Sequence, residues 1–228
     1  NETVAQDFFW QELPFVYRTH DVPDPEKIRK LRQFIYNFGY SMKAGQEEIH
    51  PKELQKLLEK IDDTPEEPLI SRLTLRSMKQ AKYTTDCTGH FGLATQYYCH
   101  FTSPIRRYPD LSIHRILSAY VGGLGGEKLE QRFSKFAHAS AQHSSDRELK
   151  AMAAERECDD AYKAEYMQQH LGERFEGVIS SVAPHGVYVQ LPNTVEGLVR
   201  TADCPVGNYT YEENLEYRDS LTGRRFRI

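Results

Sequence analysis

The chain has 228 residues, 39% hydrophobic and 27% charged, and its formal net charge at pH 7 is −4. No apolar run approaches the roughly 18 residues that a membrane span needs, and no secretory signal is visible, so we expect no membrane association and a cytoplasmic location. The negative charge argues against nucleic-acid binding by global attraction and leaves that role to local basic sites.

The cysteine spacing and the first residues bear on the chain's origin. No C-x-x-C pair occurs, which predicts reduced thiols and no zinc site. The chain begins with Asn-Glu-Thr rather than methionine, so we expect it to be processed or excised from a longer protein. The four cysteines are Cys87, Cys99, Cys158 and Cys204.

The first 90 residues predict a helical scaffold without chemistry of its own. Asp24 followed by Pro25 is typical of a helix start, and apolar residues continue after it at helical spacing. We expect helices over residues 1–10 and 24–39, further helices beginning near residues 51 and 65, and a strand over residues 15–17.

The pattern changes after His90. Residues 95–102 are rich in β-branched and aromatic side chains and predict a strand. Ser103 and Pro104 end that strand, and helical spacing resumes over residues 109–120. The segment between the two predicted elements is therefore a strand-to-helix transition, where side chains project from a rigid frame.

A glycine-rich loop over residues 122–126 and a long polar helical region over 127–170 follow, with a break expected near Ser144. Beyond this region the apolar period changes from 3.6 residues to 2, which is typical of a small all-β domain. About 55 residues of it are present, and we expect an incomplete barrel because an unpaired edge is a liability. The predicted class is α+β, with a helix-rich domain over 1–171 and a β domain over 172–228.

Two adjacent arginines, Arg106 and Arg107, lie between Pro104 and Pro109, which restrict the backbone. Neighbouring side chains of an extended backbone point to opposite sides, so we expect the two arginines to have separate tasks. One division gives one arginine to a phosphate and the other to a carboxylate such as Asp110, since a guanidinium binds either group bidentately. A purely structural ion pair explains the same residues.

Three histidines, His90, His100 and His114, lie near these arginines. Their spacings of ten and fourteen match no common metal site. We expect them to be packing and hydrogen-bonding residues.

Residues 90–94 are His-Phe-Gly-Leu-Ala, residues 102–111 are Thr-Ser-Pro-Ile-Arg-Arg-Tyr-Pro-Asp-Leu, and residues 114–115 are His-Arg. Together they resemble the signature of the catalytic domain of the ribonuclease II/ribonuclease R (RNB) family. The Arg-Arg-Tyr-Pro-Asp segment is more similar to the ribonuclease R branch. The resemblance covers essentially the whole chain and suggests the C-terminal part of that catalytic domain.

The resemblance implies a processive 3′–5′ exoribonuclease that hydrolyses single-stranded RNA to nucleoside 5′-monophosphates by an Mg²⁺-assisted in-line displacement. It implies that Arg106 is catalytic and contacts the phosphate beside the scissile bond, where charge develops. Arg107 is expected among the substrate-binding residues. Glu155 aligns with a family glutamate that helps to hold the terminal nucleotide. Without the resemblance, Glu155 and its charged neighbours in sequence fit a solvated helix face.

In the family, the magnesium-binding aspartates lie upstream of the position that corresponds to Asn1. The paired aspartates of this chain, at 62–63 and 159–160, are predicted to be helix-end or surface charges. We therefore expect no metal ligands here, Mg²⁺ as a cofactor of the full-length enzyme only, and no nuclease activity from this chain alone.

Residues 175–200 resemble the start of an OB barrel of the ribosomal S-one type, and such barrels stack single-stranded bases on aromatic rings within a basic groove. Core packing or turn geometry explains some of the same positions. Acidic residues outnumber basic residues over 173–228, eight to six, so any RNA contact must be local. The expected RNA-binding residues are Phe175, His185, Tyr188 and Arg200.

Two hypotheses follow, a part of a 3′–5′ exoribonuclease and a non-catalytic RNA-binding module that kept the scaffold and lost its metal site. A third hypothesis, a helical adaptor with a β appendage, would leave residues 102–111 unexplained. We call these residues the arginine motif. The sequence leaves open the oligomeric state and the ability of the parent enzyme to degrade structured RNA.

Overall fold

The computed structural model describes residues 1–43, 49–64, 66–204, 209–212, 216–219, 223 and 225–227. The chain forms two compact units, Asn1–Ala154 and Glu155–Ile228, which we call the N-terminal and C-terminal units. Helices and small antiparallel sheets dominate, and this confirms the predicted α+β class. Among the described residues, no helix combines the length and the apolar character that a membrane crossing requires.

The helices of the N-terminal unit begin where local capping groups favour them. The Asp24 carboxylate accepts a hydrogen bond from the Glu26 amide, and proline follows it at the first helical position. The elements are α1 (Glu2–Trp10), β1 (Tyr17–Thr19), α2 (Pro25–Tyr36), α3 (Pro51–Ile61), α4 (Glu67–Ser77), β2 (Lys82–Thr84), α5 (Tyr108–Val121) and α6 (Gly126–Gln168), the last continuing into the C-terminal unit.

Two hydrophobic clusters fill this unit. The first packs α1, β1 and α5 against α6, with Phe8, Ile113 and Leu129 among its fully buried side chains. The second packs α2, α3 and α4 around residues such as Ile61 and Ile70. The arginine motif belongs to the first cluster, because Ile113 lies on the helix that the motif leads into.

The predicted strand over residues 95–102 is wrong. Within that segment, Thr95 forms an isolated bridge with His90, and no strand is present. The carbonyl of Tyr98 accepts a single bond from the Arg18 amide, at 3.0 Å. The β-branched and aromatic side chains pack in the tertiary structure instead of marking a ladder.

Helix α6 runs without the predicted break near Ser144. The Ser144 hydroxyl donates to the carbonyl of Ser140 one turn earlier, and the Ser145 hydroxyl donates to the carbonyl of Tyr83 in β2. Serine side chains that find such partners are tolerated inside a helix. Tertiary contacts therefore override the weak helix propensity of the serine pair.

The C-terminal unit continues into two three-stranded antiparallel sheets. Val182, Val187 and Tyr217 are buried among its strands, and the Tyr217 hydroxyl donates to the carbonyl of Ala183 at 2.6 Å. The strands are β3 (Val178–Ala183), β4 (Gly186–Gln190), β5 (Glu196–Arg200), β6 (Tyr209–Glu212), β7 (Glu216–Asp219) and β8 (Arg225–Arg227). The predicted β domain is confirmed, and the predicted boundary at residue 172 lies just after the end of α6.

Candidate functional site

The arginine motif folds as a tight turn that leads into α5. The amides of Arg106 and Arg107 both donate to the carbonyl of Ser103, at 3.3 and 3.1 Å. Ile105 is fully exposed at the tip, and Arg106 beside it is exposed as well. The turn therefore presents the Arg106 guanidinium to solvent from a closed backbone frame.

Arg107 takes part in a buried ion pair instead. Its Nη2 donates to Asp110 Oδ1 at 2.8 Å, and the same oxygen accepts the Ser103 amide at 2.7 Å. Asp110 is fully buried, and its second oxygen, like Arg107 Nε, has no hydrogen-bond partner among the described residues. The two arginines thus have separate environments, as predicted, and an RNA contact by Arg107 stays a prediction.

The start of the motif is held by Asn1 and His114. Asn1 Oδ1 accepts the Phe101 amide at 3.0 Å, and His114 Nε2 lies 2.9 Å from the Phe101 carbonyl oxygen. The rings of Phe101 and His114 stack with centroids 4.3 Å apart and planes 3° apart. Both faces of the segment before the turn are therefore fixed by neighbours on α1 and α5.

Behind the motif, Arg18, Tyr83, His100 and Glu148 form a chain of polar contacts that we call the His100 network. Arg18 of β1 donates to both carboxylate oxygens of Glu148 on α6, at 2.6 and 3.0 Å. The Arg18 guanidinium lies 4.5 Å from the centroid of the Tyr83 ring. The Tyr83 hydroxyl lies 2.9 Å from Nδ1 of His100, which precedes the arginine motif in the chain.

The electrostatics of this network keep His100 uncharged at neutral pH. Burial, followed by the positive charges of Arg107 and Arg18, lowers the pKa of His100 to about 4. Burial also raises the pKa of Tyr83, so the tyrosine stays protonated. Both groups are therefore neutral, and the Tyr83 hydroxyl and His100 Nδ1 share one hydrogen bond in which the histidine tautomer sets the donor.

All three histidines near the motif have hydrogen-bond partners within the protein. His90 Nδ1 accepts the amide of Leu93 at 3.3 Å, and burial is the main cause that lowers the pKa of His90 to about 4. The other two bind Tyr83 and the Phe101 carbonyl, as described above. These contacts agree with the predicted packing and hydrogen-bonding roles.

One group of three acidic residues within the described part of the chain could in principle hold a metal ion. It comprises Asp62, Asp63 and Glu67, whose ligand atoms lie within 4.8 Å of one another. The group is at the turn between α3 and α4, beside the second cluster, whereas Arg106 precedes α5 in the first. Asp62 and Asp63 are exposed, and Glu67 already accepts the Asp63 amide. These acids do not fit a magnesium site that acts together with Arg106.

In the C-terminal unit, three of the predicted RNA-binding residues come together on one hairpin. Gly186 pairs with Arg200 and Tyr188 with Leu198, so Tyr188 and Arg200 lie on the same face of β4 and β5. His185 Nε2 lies 2.9 Å from the Tyr188 hydroxyl. The face therefore combines an aromatic ring with an exposed guanidinium, although Arg200 also pairs with an aspartate, Asp203, at 3.1 Å.

The other two predicted residues of this unit lie outside β4 and β5. Phe175 is 46% exposed and lies 5.9 Å from the ring of His170, so it is not a core residue. Glu155 is exposed on α6. The expected roles of both residues in RNA binding stay predictions.

Sequence reasoning missed Arg18, Tyr83 and Glu148. Arg18 and Glu148 are 130 positions apart, and Tyr83 and His100 are 17 apart, so no local spacing connects them. Arg18 directly follows the strand predicted over residues 15–17, and this position beside an apolar run was the one available signal, because a charged residue that becomes buried needs a partner.

Comparisons with known proteins identify relatives of both units. The model of the RNB domain family matches residues 1–123, and the model of the S1 RNA binding domain matches residues 168–208. The chain is 43% identical over 229 residues to Ribonuclease R of Thermotoga maritima, which covers 99% of this chain and 31% of the relative. It is 41% identical over 215 residues to Ribonuclease R 1 of Lactococcus lactis, covering 94% of this chain and 26% of the relative.

A solved structure agrees with these matches. RNase R of Mycoplasma genitalium, solved in complex with ribose methylated single-stranded RNA, superposes with a TM-score of 0.91 at 25% identity. The superposition covers 100% of this chain and 36% of that chain. The chain therefore spans only about a quarter to a third of the length of the proteins that it matches.

Proposed function

This chain belongs to the RNB family of ribonuclease R proteins, and from that premise we propose that it supplies the phosphate-binding wall of a 3′–5′ exoribonuclease active site. The proposed activity belongs to the full-length protein. The two relatives described above are three to four times as long as this chain. The observation that carries the proposal is the exposed Arg106 on a turn anchored by a buried ion pair.

The proposed reaction is hydrolysis of the terminal phosphodiester of an RNA strand. Water adds to phosphorus, the bond from phosphorus to the 3′ oxygen breaks, and that oxygen leaves with a proton. A nucleoside 5′-monophosphate is released. Negative charge grows on the phosphoryl oxygens in the transition state, and the Arg106 guanidinium would stabilise it by donating charge-assisted hydrogen bonds. Mg²⁺ is proposed as a cofactor of the full-length enzyme, with ligands outside this chain.

Single-stranded RNA is the proposed substrate. The face formed by the exposed His185 and Arg200 with the half-buried Tyr188 suits base stacking with local charge attraction. Phe175 and Glu155 are proposed as further contacts to the strand and its terminal nucleotide. The RNA bound to the Mycoplasma genitalium relative supports this assignment.

A cytoplasmic location is part of the same proposal. The four cysteines, all within the described residues, are free thiols, which is typical of proteins in a reducing compartment.

Replacing Arg106 in the full-length protein tests the catalytic proposal. We expect Arg106→Ala to lower kcat by roughly 100- to 1,000-fold, the range for the loss of one donor to a developing oxyanion, with a smaller change in RNA affinity. Single-turnover release of mononucleotides from a labelled RNA strand measures the rate.

Arg29→Ala is the matched control, because Arg29 is an exposed arginine on α2, and its ion pair among the described residues is with Glu26 on the same helix. Its turnover should equal that of the wild type. Unchanged turnover in Arg106→Ala would remove this residue from the catalytic site. Absence of metal-dependent trimming by the wild type would favour the non-catalytic RNA-binding alternative.

A further inference from the structure

Resting on the proposed function, we infer that Tyr83 and His100 are positioning residues that fix the Arg106 turn against the long helix α6. Tyr83 is buried and His100 is half-buried, and neither is part of the exposed tip formed by Ile105 and Arg106, so we place their effect on Arg106 rather than on RNA. Tyr83 is 8% exposed, and His100 immediately precedes the segment that forms the turn.

The anchor of this arrangement is the pair of Arg18 and Glu148. The side chain of Arg18 is 13% exposed, and both of its terminal nitrogens bind the two carboxylate oxygens of Glu148. A bidentate pair of this kind fixes orientation as well as distance. Glu148 lies on α6, so the pair ties β1 to a rigid helix.

Tyr83 connects this anchor to the motif. Its ring packs against the Arg18 guanidinium. Its backbone amide is held in place because it donates to the Ser145 hydroxyl on α6 at 2.9 Å. Its hydroxyl shares a hydrogen bond with His100 Nδ1 at 2.9 Å. The same tyrosine is therefore held at the backbone, the ring and the hydroxyl by different elements.

From His100 onward the chain is held at successive points until it reaches the tip. The Phe101 amide and carbonyl bind Asn1 and His114, and the Ser103 amide binds Asp110. Arg106 and Ile105 follow at the exposed tip. His100 is thus the first fixed point of the loop, and the ion pair of Arg107 with Asp110 is the last.

The network consists of side chains whose packing is specific rather than generic. A buried polar chain is stable only when each member keeps its partner, and loss of one contact loosens the others. A catalytic guanidinium must stay within a fraction of an ångström of its working position, so looseness in this support should lower the rate of the chemical step.

Tyr83→Phe in the full-length protein tests the inference, because it removes one hydroxyl and leaves the ring under Arg18. We expect kcat to fall by roughly 2- to 12-fold, the equivalent of one hydrogen bond, with KM for RNA unchanged. In an Arg106→Ala background the same substitution should have no further effect on kcat, since its route to the reaction has been removed.

Tyr40→Phe is the matched control. The Tyr40 hydroxyl donates one hydrogen bond, to Glu66 Oε1 at 2.7 Å, but it lies beside the second cluster. Its kcat should stay at the wild-type value. At His100, asparagine places an amide that can donate or accept near the position of Nδ1, so His100→Asn should retain most of the turnover that His100→Leu loses.

The outcomes separate the two proposals. A wild-type protein that does not hydrolyse RNA overturns the proposed function and this inference together. An active wild type with Tyr83→Phe equally active overturns the inference alone. An effect of Tyr83→Phe that has the same size with and without Arg106 also overturns it, because the tyrosine would then act on stability or on RNA directly.

Discussion

At the scale of single residues, the two motif arginines show how burial divides similar side chains. Arg106 is exposed, whereas Arg107 neutralises the fully buried Asp110. Removing one partner of such a pair leaves an uncompensated charge and costs more than the pair itself contributes. We therefore interpret the pair of Arg107 and Asp110 as a contact that fixes the turn. Replacing either residue alone should also destabilise the fold.

Two half-buried histidines, His90 and His100, make the stability of the N-terminal unit depend on pH. In the unfolded chain a histidine titrates near pH 6.5, while the folded pKa values of His90 and His100 are about 4. Between these values the unfolded state binds more protons, so stability is greatest above pH 6.5 and is lost as the pH falls towards 4. Urea unfolding followed by circular dichroism at pH 7, 6 and 5 measures this loss.

His100→Asn should flatten that dependence, because asparagine does not titrate. Carboxylates whose pKa is lowered, such as those of Asp21 and Glu53, lose their contribution only below their ordinary range and so fall outside the window from pH 5 to 6.5. Equal slopes for the variant and the wild type would show that His100 does not titrate as inferred.

At the scale of elements, the hairpin of β4 and β5 depends on a close backbone approach. A Cβ atom on Gly186 would lie 2.4 Å from the carbonyl oxygen of Val199, a backbone atom that cannot move without breaking the pairing. The hairpin also places Tyr188 and Arg200 on one face. The glycine therefore permits the pairing on which the proposed RNA-binding face rests.

We expect Gly186→Ala to destabilise the C-terminal unit by about 1–3 kcal/mol, the usual cost of overpacking. Hydrogen exchange measured by mass spectrometry should show lost protection of the amides of β4 and β5. Gly197→Ala is the matched control on the same hairpin, since a Cβ atom there meets nothing within 4 Å. Similar exchange in both alanine variants would contradict the role given to the close approach.

At the scale of the whole molecule, charge and chemistry are distributed unevenly. The net charge of −4 provides no general attraction for RNA, so the proposed binding would depend on local features such as the face around Tyr188. The one group of three described acids close enough to share an ion lies at the turn between α3 and α4, whereas Arg106 precedes α5. Binding and phosphate contact are thus the contributions expected from this chain, and metal chemistry is expected from the rest of the protein.

We expect the 228-residue chain to bind single-stranded RNA without cutting it. Fluorescence anisotropy with a labelled oligonucleotide measures binding, and Tyr188→Ala should weaken it by about 1–3 kcal/mol, the cost of one lost stacking contact. Tyr36→Ala is the control, because Tyr36 is 76% exposed on α2. Incubation of the chain with RNA and Mg²⁺ should give no trimming. Trimming from the 3′ end that EDTA abolishes would overturn this expectation.

The sequence by itself determined the family, the α+β class and the different surroundings of the two arginines. These follow from local signals, because a proline-bounded motif, helical periodicity and the change to a period of two are all written in neighbouring residues. The same local reasoning failed at residues 95–102, where β-forming side chains pack without a strand, and at Ser144, where α6 continues.

Only the tertiary structure decided how the motif is held. The partners of Arg18 and Tyr83 lie on α6, 130 and 62 positions away, and sequence periodicity reports only on near neighbours. It also decided that Asp110 pairs with Arg107, that the lowered pKa of His100 leaves it neutral and that Arg106 is exposed. Burial and charge proximity are properties of the folded chain, and they, rather than residue type, set which side chain is free to meet a phosphate.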